Sequence, residues 1–240
     1  MFKDKKRIFS IIVYILLLCL MVYSGFKIFK WQKENMHNDD IKEKINSAVS
    51  FQDNNKYKVD FESLKKQNND TVAWIKVNNT NIEYPIVKSS DNEFYLNHSF
   101  DKSDNTAGWI FADYKNKFDG KDKNIVIYGH NRKDNSMFGS LKNVLNEEWY
   151  NNSENTDIVF ITQNENRIYK VFSVYQIEKE DYYIRTEFNN DSEFEKFIKT
   201  LKQRSIKNFN TDVSKNDRII TLSTCAGNDN YRVVLHAKKC

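Results

Sequence analysis

One long apolar stretch opens the chain, and a region of short alternating runs follows it. Ile8–Phe26 continues for about nineteen residues without a charged side chain. At 1.5 Å per residue this helix would span roughly 28 Å, close to the hydrocarbon thickness of a bilayer. A cleaved signal peptide is the alternative, but its apolar region is usually only about 7–15 residues long, and Tyr23–Phe26 is a poor cleavage site. We therefore expect one uncleaved transmembrane helix over residues 8–29.

From Tyr57 onward, short runs of Ile, Val, Phe, Tyr and Trp alternate with turns rich in Asn, Asp and Gly. This pattern predicts eight strands. They are Val72–Val77, Ile82–Val87, Ala107–Phe111, Asn124–Tyr128, Asp157–Thr162, Arg167–Glu178, Arg218–Ser223 and Tyr231–Ala237. Apolar residues at helical spacing predict short helices near 59–64, 138–150 and 193–201. Because open edges of such apolar strands would aggregate, the pattern favours a mainly β fold: a closed β-barrel of about eight strands with a few peripheral helices.

The stretch between the apolar helix and the barrel is polar and only weakly periodic. It is rich in Asn, Asp, Lys and Glu, which is typical of a solvated and partly helical stalk. The predicted organisation is therefore a cytoplasmic tip at 1–7, a transmembrane anchor at 8–29, a stalk at 30–56 and one catalytic barrel domain at 57–240.

The position of the charge matters more than its total. The formal net charge is +4, of which Met1–Arg7 carries +3, so the predicted barrel is close to neutral and a nucleic-acid partner is not expected. Lysines also follow the apolar stretch, so charge bias favours a cytoplasmic N-terminus only slightly. We expect a single-pass protein of the cell membrane, held in the lipid bilayer by its N-terminal helix, with an extracellular catalytic domain.

Three side chains suited to acyl transfer stand at the ends of predicted strands. Cys225 follows the run beginning at Arg218, His130 follows Ile125–Tyr128, and Arg232 opens the last strand. A thiolate attacks the acyl carbon, an imidazole holds and returns a proton, and a guanidinium can stabilise an oxyanion. Strand ends meet at a barrel rim, so we predict that these three residues form a catalytic site.

Other readings of these residues stay open at this point. A lone strand cysteine is more often a small buried apolar side chain. A phosphatase loop would need Cys-x5-Arg, whereas here Tyr231 takes that place and the arginine comes one residue later. A cysteine hydrolase or a non-catalytic membrane-tethered binding module would also fit the pattern. Scattered cysteines and isolated histidines show no zinc-ligand spacing, so neither a metal nor another cofactor is expected.

The motifs around these residues resemble those of one family. Thr221–Cys225 reads TLSTC and resembles the TLxTC signature of sortases, with Arg232 where that family has its essential arginine. Tyr128–Asn131 resembles the segment that delivers the sortase histidine, and the likeness extends through Ala107–Asn116. The long insertion before the cysteine strand, with its predicted helix, and the serine at the variable signature position resemble class B.

The resemblance implies an exported cysteine transpeptidase of a Gram-positive bacterium. Such an enzyme cleaves a sorting signal near the C-terminus of a surface protein, typically after Thr, and holds the product as a thioester. It then passes the acyl group to an amine of a peptidoglycan precursor. By the same resemblance, seven residues would line the sorting-signal groove. They are Ser223, Thr224, Ala226, Asn92, Leu96, Tyr183 and Ile184.

The segment after the cysteine departs from one version of the family's site. The backbone N–H of Ala226 would be a second oxyanion donor, but no acidic residue directly follows Cys225. A Cys-His-Asp triad built on such an acid is therefore not favoured. We expect a Cys-His-Arg arrangement in which Asp229 has no assigned role.

Overall fold

The computed structural model describes the backbone of residues 2–52, 56–225 and 230–240, and the side chains of residues 6–50, 57–224 and 230–240. The chain separates into two compact units, residues 1–40 and residues 41–240. One helix, α1 (Phe2–Asn46), makes up the described part of the first unit and continues into the second. It is long and apolar enough to cross a membrane, and the side chains of its apolar window are exposed.

The second unit begins with the end of α1 and a small hairpin. Ile41 and Ile45 of α1 are buried in its hydrophobic core. Two strands, β1 (Val49–Gln52) and β2 (Lys56–Val59), pair antiparallel, and the sequence pattern did not predict them. A short helix, α2 (Phe61–Gln67), follows the hairpin. The predicted domain boundaries at residues 7, 29 and 56 stay predictions.

The eight predicted strands are present and form a closed barrel. They are β3 (Thr71–Val77), β4 (Glu83–Val87), β5 (Phe111–Ala112), β6 (Asn124–His130), β7 (Asp157–Thr162), β8 (Asn166–Glu178), β9 (Ile219–Cys225) and β10 (Tyr231–Lys239). Their order around the barrel is β10-β8-β7-β3-β4-β5-β6-β9. Most neighbours are antiparallel, but β4 pairs with β5 and β6 pairs with β9 in parallel. The prediction of a mainly β, closed eight-stranded barrel is confirmed.

The strand predicted at 107–111 is the one that differs most. Only Phe111–Ala112 forms a strand, because Gly108 takes a left-handed backbone angle, φ +61°, in a turn closed by its N–H and the Asn105 carbonyl. The stretch 138–150, predicted to be helical from its spacing, also differs, because it forms two shorter elements. A 3₁₀ helix covers Gly139–Leu145, and a single turn of α-helix, α3 (Glu147–Tyr150), follows it.

The insertion between β8 and β9 carries the predicted helix. This helix, α4 (Asp191–Arg204), begins where the Asn190 side chain accepts a hydrogen bond from the Glu193 N–H, a normal N-terminal cap. Phe194, Phe197, Ile198 and Leu201 are buried in a second apolar cluster with side chains of β8, β9 and β10. The helix therefore covers the outer face of the strands that lead to Cys225 and Arg232.

Candidate active site

The strand ends that carry the predicted nucleophile and histidine are neighbours. β6 and β9 pair in parallel along their full length, and His130 and Cys225 are the last backbone partners of that register. Because parallel strands finish at the same edge of a sheet, both residues lie at one rim of the barrel. The sequence predicted two strand termini, and the register adds that the two termini adjoin.

A backbone carbonyl sets the orientation of the His130 ring. Nε2 of His130 lies 2.7 Å from the carbonyl oxygen of Leu96, which can only accept, so Nε2 carries the hydrogen. Nδ1 is then the nitrogen through which a neutral ring can take up a proton. Burial lowers the pKa of His130, and the Arg132 charge acts in the same direction, while the hydrogen bond to Leu96 opposes both. The neutral imidazole is therefore the main form at pH 7.

Gly108 provides the space in which this ring is held. A Cβ atom there would lie 2.6 Å from the Tyr95 carbonyl, 2.8 Å from the Leu96 carbonyl and 2.9 Å from Cδ2 of His130. The left-handed backbone of Gly108 also favours glycine. The 3₁₀ turn Phe94–Leu96 and the imidazole can therefore pack against the backbone of Gly108, as no other residue type would permit.

The predicted arginine is tied to the residue before the cysteine. Nη1 of Arg232 donates to the Thr224 carbonyl over 3.0 Å, and the Val233 N–H donates to Oγ1 of Thr224 over the same distance. Thr224 is buried, while Arg232 is half-buried. The bond to Thr224 uses one of the five guanidinium donors, so others remain that can stabilise an oxyanion.

A groove of about 490 Å³ opens beside Arg232. We call it the Arg232 groove, and seven of the residues that the structure describes line it. They are Tyr128, Lys179, Glu180, Asp181, Tyr183, Ile184 and Arg232. Two of the predicted sorting-signal residues, Tyr183 and Ile184, thus share a groove with the predicted arginine. Tyr183 is buried, and its hydroxyl lies 3.0 Å from Oγ of Ser223, which is also buried.

Two further predicted groove residues, Asn92 and Leu96, are not among the described residues that line the Arg232 groove. Leu96 orients the imidazole through its carbonyl. Nδ2 of Asn92 donates to Oδ2 of Asp113 over 2.9 Å, and Tyr128 donates its hydroxyl to the same oxygen over 2.9 Å. Asn92 therefore supports a network that reaches the groove through Tyr128.

Some predictions fall outside the described residues. Ala226, Asp229 and the side chain of Cys225 are among these, so their assigned roles stay predictions. Sequence reasoning missed the Leu96 carbonyl, the space at Gly108 and the Asp113–Tyr128 pair. Gly108 follows the predicted strand's first residue and was a usable signal, since a glycine within a strand often marks a close backbone approach.

Metal ligation has no support among the side chains that the structure describes. No cluster of three or more His, Cys, Asp or Glu side chains in these ranges has a geometry that could hold an ion. The residues brought together here are instead a strand-end cysteine position, an oriented imidazole and a guanidinium. This arrangement suits nucleophilic acyl transfer with proton exchange through Nδ1 of His130.

Comparison with known proteins identifies relatives over most of the chain. The family model described as a sortase domain matches residues 75–240. Sortase B of Listeria monocytogenes is 35% identical over 232 residues, covering 93% of this chain and 94% of the relative. The crystal structure of sortase B from B. anthracis in complex with AAEK1 has a TM-score of 0.76 at 34% identity, covering 86% of this chain and 98% of that one. A sortase B structure complexed with triglycine has a TM-score of 0.71 at 36% identity, covering 75% and 85% of the two chains.

Proposed function

This chain belongs to the sortase family, as a class B cysteine transpeptidase, and we propose that it attaches surface proteins to the cell wall. Its substrates would be proteins with a C-terminal sorting signal, and its acceptor an amine of a peptidoglycan precursor. The observation that carries the proposal is the parallel register that makes His130 and Cys225 adjacent, with Arg232 bonded to the residue before Cys225. The triglycine bound to a related sortase B supports a glycine amine as the acceptor.

The proposed reaction has two acyl-transfer steps. The Cys225 thiolate attacks the scissile carbonyl carbon, and the oxyanion that forms is stabilised by Arg232. The C–N bond breaks, the leaving amine takes the proton from Nδ1 of His130, and a thioester remains. The acceptor amine then attacks the thioester carbonyl and gives its proton back to His130, and the thiolate leaves. At the end of the cycle Cys225 is again a thiolate and His130 again carries its proton at Nδ1.

The hydrogen bond between His130 and Leu96 supports the role of Nδ1. Because Nε2 is occupied by the Leu96 carbonyl, the ring can exchange its second proton only at Nδ1. A lowered pKa makes the imidazolium a stronger acid, which favours proton delivery to the leaving amine, although it reduces the charged fraction at pH 7. Only the enzyme fraction with a thiolate and an imidazolium together would then turn over.

We also propose that α1 anchors the protein in the cell membrane, with the N-terminus in the cytoplasm and the barrel outside. The exposed apolar side chains of residues 8–29 would be costly in water and suit a bilayer. Outside the membrane, the enzyme would meet both exported proteins and cell-wall precursors.

The function is tested with a sorting-signal peptide and triglycine as the amine. Cys225→Ala, His130→Ala and Arg232→Ala should each lower peptide turnover by well over about 10²-fold, since each removes a group that acts on the reacting atoms. Circular dichroism should show that each variant is folded. Cys240→Ala, which removes an exposed thiol at the end of the chain, is the matched control and should keep full activity.

The product distinguishes the competing activities. A peptide ligated to triglycine is expected for a transpeptidase, with hydrolysis decreasing as the amine concentration rises. Hydrolysis alone at every triglycine concentration would instead identify a cysteine hydrolase. Undiminished cleavage by Cys225→Ala would overturn the thioester mechanism, and a wild-type protein that binds but never cleaves sorting peptides would be a binding module.

A further inference from the structure

The segment Tyr182–Arg185, whose Tyr183 and Ile184 form part of one wall of the Arg232 groove, is hydrogen-bonded to the barrel at both of its ends. At its start, the Tyr182 hydroxyl donates to the Tyr175 hydroxyl of β8 over 3.1 Å. At its end, the Arg185 carbonyl accepts from Nδ2 of Asn124, the first residue of β6, over 2.8 Å. Side chains of the barrel connect these two ends.

The connection consists of three further hydrogen bonds. The Tyr175 hydroxyl lies 2.9 Å from Nε2 of His236, and Nδ1 of His236 lies 2.9 Å from Oγ1 of Thr221. Oγ1 of Thr221 donates to Oδ1 of Asn124 over 2.8 Å. His236, Thr221 and Asn124 are fully buried. Together with the two end contacts, these bonds form a closed circuit that we call the tyrosine–histidine ring.

The direction of every bond in the ring follows from the Arg185 carbonyl. A carbonyl only accepts, so Asn124 points its NH₂ group at Arg185 and its oxygen at Thr221. Thr221 has one proton, which goes to Asn124, so it accepts from Nδ1–H of His236. Burial lowers the pKa of His236 to about 3, so the imidazole is neutral and its Nε2 accepts from Tyr175. Tyr175 in turn accepts from Tyr182, and all five bonds run the same way.

We propose that the tyrosine–histidine ring positions the Tyr182–Arg185 segment as the wall that receives the sorting signal. The inference rests on the proposed function for the use of the groove. Within the segment, Tyr183 is held by Ser223, two residues before Cys225 on β9. The same wall is thereby fixed relative to the strand that delivers the nucleophile. His236, Tyr175, Tyr182, Thr221 and Asn124 are positioning residues that touch neither the substrate nor the reacting atoms.

The ring fits this task because its five bonds depend on one another. The Tyr175 and Thr221 hydroxyls each donate one bond and accept another, so removing either leaves a buried group on both sides without its partner, whereas Tyr182 is the donor that starts the series. Arg185 adds a separate contact, an ion pair of 2.7 Å with Glu193 of α4. The wall therefore lies between β8, β6 and α4, and the loss of one link should loosen its start or its end.

Two single variants and their combination test the ring. Tyr182→Phe removes the first donor from a half-buried position, and Thr221→Val removes the hydroxyl between His236 and Asn124 with little change of shape. Each should raise KM for a sorting-signal peptide by about three- to tenfold, as expected for the loss of one buried hydrogen bond. Each should leave kcat and the rate at which a thiol reagent alkylates Cys225 within about twofold. Tyr114→Phe, an exposed tyrosine on another loop, is the matched control and should change nothing.

The double variant separates a connected ring from independent contacts. If the ring acts as a unit, Tyr182→Phe combined with Thr221→Val should raise KM no more than the larger single effect. Effects that multiply would overturn the ring as a unit. An unchanged KM in both single variants, even with a lower Tm, would show that the ring only stabilises the fold and would also overturn the proposal.

Amide hydrogen exchange tests whether the ring positions the segment independently of whether the protein cleaves sorting peptides. Residues 183–185 should exchange faster in Tyr182→Phe than in wild type, whereas β3 should be unchanged. Faster exchange in a protein that cleaves no sorting peptide would disprove the proposed function while supporting the positioning of the wall by the ring. Unchanged exchange in a protein that does cleave would disprove that positioning alone.

Discussion

Gly108 and Gly120 share a left-handed backbone but differ in what surrounds them. Their φ angles are +61° and +80°, so any side chain at either position incurs roughly 1–2 kcal/mol of backbone strain. A Cβ at Gly120 would meet only the end of the Arg218 side chain, at 3.7 Å. At Gly108 it would meet two backbone carbonyls and the His130 ring at 2.6–2.9 Å.

This difference predicts separate outcomes for two alanine substitutions. Gly120→Ala should lower the free energy of unfolding by about 1 kcal/mol and leave peptide turnover unchanged. Gly108→Ala should cost more than that and also reduce turnover by at least about tenfold, because the turn and His130 must move apart. Urea unfolding and sorting-peptide turnover measure the two effects, and equal turnover in both variants would contradict this account of Gly108.

At the scale of single residues, side chains that belong to a sequence motif were predictable, whereas the groups that hold them in place were not. Cys225, His130 and Arg232 each follow or open an apolar run, so their place at strand ends could be read from the sequence. The carbonyl of Leu96 has no sequence signature, because every residue carries the same carbonyl group. Its contact with His130 depends on a turn packed against Gly108, which only the folded backbone provides.

Among the elements, the strands were predictable where burial made their pattern continuous. β7 was predicted at Asp157–Thr162 and forms over the same residues, because its middle is buried on both faces. β1 (VSFQ) and β2 (KYKV) do alternate between apolar and polar residues, but each has only four residues within a polar stretch, so the pattern was too short to predict them. The apolar residues of 107–111 indicated a strand. Trp109 and Ile110 are instead buried beside a turn, because a residue can be buried without pairing in a β-sheet.

The helix α1 gives a prediction at the scale of one element. Deleting residues 1–30 should release the protein from membranes as a soluble, active enzyme, because the exposed apolar side chains are removed and the unit at 41–240 keeps its core. Ultracentrifugation of membrane fractions, followed by a turnover assay of the supernatant, measures both properties.

A shorter deletion provides the control for the anchor. Removing residues 2–7 takes away most of the basic tip but retains the apolar span, so this variant should still sediment with membranes. If the chain lacking residues 1–30 also sedimented with membranes, a single anchor in α1 would be wrong.

On the scale of the whole molecule, the buried His236 makes stability depend on pH. Its pKa is about 3 in the folded protein, well below the usual value near 6.5. Between these values the unfolded chain binds a proton that the folded chain does not. The stabilisation is therefore complete above about pH 6.5 and is lost as the pH falls towards 3.

The comparison of wild type with His236→Gln isolates this contribution. Between pH 6.5 and 4, the free energy of unfolding of wild type should fall more steeply than that of the variant, by up to about 1.4 kcal/mol per pH unit. Urea unfolding at several pH values gives both slopes, and the carboxylates common to both proteins cancel in the difference. Equal slopes would show that His236 is not held neutral in the folded state.

The parallel pairing of β6 with β9 also determines when the protein becomes active. His130 and Cys225 are roughly a hundred residues apart in the chain, and only this pairing makes them neighbours. Closing a loop of that length costs about 4 kcal/mol of chain entropy, and contacts of such high contact order form slowly. A nascent or partly translocated chain therefore carries its imidazole before its thiol has emerged, and turnover can begin only once the last part of the barrel has folded.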